Sequence, residues 1–73
     1  MLSCMTNSRS DLARILWAAR MDAVADRWHL DNRVLPTLKE LPDLHEVADE
    51  TIRARDHLEA ASAAMRKAID LIE

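Results

Sequence analysis

No glycine occurs in these 73 residues, so the only residues that stop a helix by their own covalent structure are Pro36 and Pro42. Glycine is the usual residue of left-handed helix ends and of close backbone approach to phosphate. Without it, P-loops, dinucleotide fingerprints and nucleophile elbows lack their turns, which argues against nucleotide-dependent and α/β-hydrolase chemistry. The chain is left with long helical stretches on either side of one short proline-bounded segment.

Residues 1–9 open "MLSCMTNSR", which is polar overall and reads as a flexible tail. Ser8 or Ser10 then offers a helix N-cap, and Leu12, Ile15, Leu16, Ala19 and Ala23 recur at helical spacing, predicting a helix over 10–29. Asn32 is the best substitute for the missing glycine and is expected to end this helix in the left-handed conformation. The segment "VLPTLKELPDL" leaves room for one helical turn, so 34–41 is read as a connecting turn whose Val34, Leu35, Leu38 and Leu41 lie across the end of a bundle. Asp43 and Glu46, three apart, form a capping-box pattern that opens a helix over 43–73. Together these make one all-α domain over 10–73, a helical hairpin of two long helices.

The last helix carries a heptad with Leu44, Thr51, Leu58, Met65 and Ile72 at one core position and Val47, Ala54, Ala61 and Ala68 at the other. Large residues alternate with small ones, so a neighbouring helix can approach closely. The first helix is different, because at 100° per residue it shows two apolar stripes. Leu12, Ile15, Leu16, Ala19 and Ala23 make one; Trp17, Met21, Val24 and Trp28 make the other, with Arg20 and Arg27 in the gap between. A helix that packs only on its hairpin partner needs a single stripe. Three readings follow for the second: it meets a second copy in a four-helix bundle, it is monomer core under the proline-bounded lid, or it docks a different protein. A homodimer is the expected assembly.

Charge gives no footprint for nucleic acid over the whole domain. The net charge is −3, with residues 1–29 slightly basic and residues 30–73 acidic. An Arg ridge of Arg9, Arg14, Arg20 and Arg27 keeps an RNA- or DNA-binding dimeric hairpin as an alternative, and the acidic run Glu40, Asp43, Glu46, Asp49 and Glu50 offers a second, a mimic that blocks a basic surface. The blander account of that run is that acids offset the positive end of a helix dipole.

Asp26 with His29 and His45 with Asp49 have ligand-like spacing, but the last helix puts its histidines off the heptad seam, so no metal and no cofactor is expected. Cys4 sits in the tail and Ser62 lies among alanines, which fits packing better than nucleophilic catalysis. No stretch approaches the ~18 uninterrupted apolar residues of a membrane span, and one cysteine fits a reducing cytoplasm. The expectation is therefore a cytoplasmic, non-catalytic regulator, adaptor or inhibitor, of a composition that suits a bacterial or phage accessory protein. Its partner-binding residues are Trp17, Met21, Val24 and Trp28, rimmed by Arg20 and Arg27.

Overall fold

A computed structural model of the protein describes residues 8–72. It is an all-α hairpin of two long helices joined by a short turn. α1 spans Ser8–His29, a π-helical turn spans Leu30–Val34, α2 spans Leu35–Lys39, a 3-10 turn spans Pro42–Leu44, and α3 spans His45–Ile72. Among the described residues only Glu40 and Leu41 lie outside a helix. Residues 1–7 of the expected tail, Cys4 included, lie outside the described residues; Ser8 and Arg9 are already helical. No helix of the described residues is long and apolar enough to cross a membrane.

α1 and α3 are helical for ordinary reasons: both are rich in Ala and Arg, with Leu and Met among them, and neither contains glycine or proline. The first break comes later than the sequence suggests. Asn32 does not terminate α1, since no described residue has positive φ, and the helical path runs on through Pro36. A proline inside a helix lacks an N–H and crowds the carbonyl four residues back. Here the chain widens by one residue per turn just before it, with Leu35 N–H donating to Leu30 O, five residues back. That displaces the crowded carbonyl and lets Pro36 enter near the start of α2. Side chains cover carbonyls in this region: Asn32 Nδ2 donates to Trp28 O at 2.9 Å, and Thr37 Oγ1 to Arg33 O at 2.8 Å.

The reversal itself is made at Glu40 and Leu41, whose N–H groups donate to Thr37 O and Leu38 O. Leu41, at φ −126° and ψ 73°, leads into Pro42 at the start of the 3-10 turn, and Leu44 N–H closes that turn on Leu41 O at 2.9 Å. Asp43 therefore lies inside the turn rather than capping a helix, and no side chain caps that turn. Leu35 and Leu38 face α3 and are half-buried, whereas Val34 and Leu41 stay exposed.

The seam between α1 and α3 follows a heptad register, but not the one the apolar pattern suggests. On α3 the sheltered positions are Ala48, Thr51, Arg55, Leu58, Ser62, Met65, Ala68, Ile69 and Ile72; facing them are Ala13, Leu16, Arg20, Ala23 and Arg27 of α1 and Leu30 of the π-helical turn. One expected core position lies in the seam at Thr51, Leu58, Met65 and Ile72, but not at Leu44, which is exposed in the 3-10 turn. The other is sheltered only at Ala68: Val47, Ala54 and Ala61 are exposed, and Arg55 and Ser62 take the place of the two alanines. The reason is polar pairing across the seam. Arg20 Nε donates to Ser62 O at 3.3 Å, Arg55 Nη1 reaches Asp31 Oδ1 at 3.3 Å, and Arg27 sits 3.7 Å from Asp31 and 4.0 Å from Glu59. Among the described residues only Ala23 and Ile69, at 7% and 4% exposure, are buried.

Candidate protein-docking face

The seam falls between the two apolar stripes of α1, so neither is consumed by the hairpin. Only Leu16 and Ala23 of the first stripe turn into it. On one flank stand Trp17, Met21, Val24 and Trp28, each between 37% and 53% exposed. One-turn spacing aligns them in a single row on α1. Beside them α3 presents Ile52, Asp56, Glu59, Ala63 and Arg66, a mostly charged edge. Among the described residues nothing encloses the tryptophans.

Arginines flank both indoles. The Arg20 guanidinium carbon lies 5.2 Å from the Trp17 ring centroid, and that of Arg66, reaching over from α3, lies 5.8 Å away. Arg33 stands 6.0 Å from the Trp28 ring, which also meets His29 edge-on at 5.3 Å. Cation over ring at these distances is attractive and limits the freedom of both partners. Each tryptophan is therefore held in place while much of its area still faces water, as an anchor residue should be before its partner arrives.

Arg20 and Arg27, expected on the rim, occupy seam positions. Arg20 borders the Trp row while its Nε bonds across to α3; Arg27 is drawn toward Asp31 and Glu59, and its buried Nε makes no hydrogen bond. Arg55 completes this cluster. Its guanidinium is held above the ordinary arginine range first by the hydrogen bond to Asp56 and then by the one to Asp31. Arg33, Arg66 and Asp31 were not singled out from sequence. Arg66 and Asp31 gain meaning only once α3 folds back, because each contacts a residue more than twenty positions away.

The acidic run is divided between the turn and α3. Glu40 lies in the reversal and Asp43 in the 3-10 turn, while Glu46, Asp49 and Glu50, three and four residues apart, share one face of the first turns of α3, and all five are exposed. Of the basic ridge, Arg14 pairs with Asp11 at 3.1 Å and the other two arginines of α1 beyond Arg9 are engaged as described. Among the described residues, no three His, Cys, Asp or Glu side chains are grouped as a metal site. No family model matches the chain, and no curated protein and no solved structure matches it.

Proposed function

We propose that the chain is a non-catalytic protein–protein interaction module, a small regulator, adaptor or inhibitor, and that Trp17, Met21, Val24 and Trp28 are its docking row. The observation that carries this reading is their joint exposure along one helix face. A row of two indoles, a thioether and a valine left in water is costly unless something covers it, and Trp, Met and Arg are the residue types enriched where proteins meet. The shape fits insertion of a helix face into an apolar groove, with the anchors one turn apart. The charged α3 edge beside the row supplies the polar rim that surrounds such anchors. A cytoplasmic setting belongs to the same proposal, resting on a single cysteine in the whole sequence.

The nucleic-acid reading has less support. Arg14, Arg20 and Arg27 each already face a carboxylate, a carbonyl or an indole, which reduces the charge offered to phosphate.

The test is capture of a partner by tagged wild-type chain, followed by titration of the purified partner. Wild type binds; Trp17→Ala and Trp28→Ala each weaken binding at least 30-fold, the effect of an anchor worth about 2 kcal/mol; Ala61→Glu on the opposite flank leaves the per-chain affinity unchanged. Equal binding by both tryptophan variants and wild type removes the row from the interface.

A further inference from the structure

Arginines gather at the two ends of the Trp row, and among the described residues two of them, Arg20 and Arg33, form no ion pair. The carboxylates that border the row are already engaged. Asp31 and Glu59 lie 3.7 and 4.0 Å from Arg27, Asp56 lies 3.1 Å from Arg55, and Asp70 lies 3.4 Å from Arg66. α1 adds no acid there, because at 100° per residue Asp22 and Asp26 stand about 130° or more from the middle of the row. This flank therefore carries unpaired positive charge in a chain whose net charge is −3. Resting on the docking reading above, we infer that the partner's apolar groove bears carboxylates at its two ends, about 16 Å apart, which is the rise from Trp17 to Trp28 along α1.

The spacing follows from where the cations stand. Arg20 and Arg66 flank Trp17, Arg33 flanks Trp28, and the stretch between is the apolar pair Met21 and Val24. A helix lining the groove meets this pattern with two acidic residues eleven positions apart, since eleven residues return to within about 20° of the same face. A nucleic-acid strand, charged at every nucleotide, would instead run along an edge of α3 that holds Asp56 and Glu59.

The arginines are also prepared for carboxylates. Arg20 gives its Nε to Ser62 O, which leaves its two terminal nitrogens as a fork that a carboxylate can bridge. Lying over an indole, each guanidinium has less freedom to lose when the partner arrives. Beside Trp17 a hollow of about 440 Å³, with Ile69 and Ile72 in its lining and Arg9 and Arg14 at its side, has room for an apolar side chain next to the acid at that end.

Two helical peptides of 18 residues test the inference, each with one leucine strip and no aromatic residue, one bearing glutamates eleven apart at the ends of the strip and the other lysines. At 50 mM salt the full chain is expected to bind the glutamate peptide at least tenfold more tightly, although its net charge of −3 favours the lysine peptide. Arg33→Gln with Arg66→Gln removes the preference, and Arg33→Glu with Arg66→Glu reverses it, which loss of the fold could not do. Equal affinities or a lysine preference in the wild type overturn the inference; if Trp17→Ala still weakens both peptides the row remains a docking face, and if it weakens neither the row falls too. No binding of either peptide at 1 mM overturns both readings. A preference that persists in the arginine variants also overturns the inference, as does tighter binding of a twelve-nucleotide oligothymidine, which would assign the arginines to phosphate.

Discussion

Trp17 and Trp28 illustrate how one residue type divides its surface between holding a fold and offering a contact. Each is pinned by an arginine guanidinium on one side and open to water on the other. Truncating either to alanine forfeits only the sheltered part of the ring, on the order of 50–80 Å², worth about 1–2 kcal/mol at ~25 cal/mol per Å². Denaturant melts of Trp17→Ala and Trp28→Ala should therefore shift by no more than that, while partner binding falls by more. Ile69 is the contrast: it is buried against α1, so Ile69→Ala should cost about 2–3 kcal/mol in the same melt. If Trp28→Ala destabilises the chain as much as Ile69→Ala, the indole is a core residue and not an anchor.

At the scale of elements, the polar residues in the seam decide which faces of the two helices meet. Arg27, Asp31 and Arg55 are only partly screened from water, with side chains 31% to 42% exposed, so their pairing is modest in energy. Asp31→Ala should lower stability by about 1 kcal/mol because it leaves two guanidinium groups without their shared carboxylate. Asp31→Ala combined with Arg55→Leu should recover that loss, since an apolar pair often equals or exceeds the ion pair it replaces. Urea melts of both variants check the signs; a double variant less stable than the single one contradicts them.

The same residues explain how much was legible from sequence. Hairpin, helix count and the position of the reversal near Pro42 follow from the missing glycine, the two prolines and the 3.6-residue period. The two apolar stripes of α1 were also readable, because each is a local pattern. The register of the seam was not, because apolar periodicity ranks Ala54 and Ala61 above Arg55 and Ser62. Only long-range pairing with Asp31 and Arg20 reverses that order. Nor was the passage through Pro36 legible, since the π-helical turn that relieves it depends on hydrogen bonds five residues apart.

For the molecule as a whole, two buried side chains among the described residues of a hairpin 58 Å long do not make a core that stands comfortably alone. If association supplies the missing burial, it has a signature that a lone fold lacks. If the flank opposite the Trp row, where Ala61 stands, closes a dimer, folding and dimerisation are linked, and each tenfold rise in concentration adds about 1.4 kcal/mol to the folded dimer. Spread over the unfolding entropy of two such chains, a rise from 1 to 100 µM should lift the melting temperature by about 5–10 °C. Ala61→Glu should flatten this dependence and melt low throughout. Because the Trp row lies on the other flank, acrylamide quenching of its fluorescence should stay the same across that concentration range and fall only when the foreign partner is added. Quenching that falls as the chain dimerises would put the tryptophans between the two copies, merging the two faces into one.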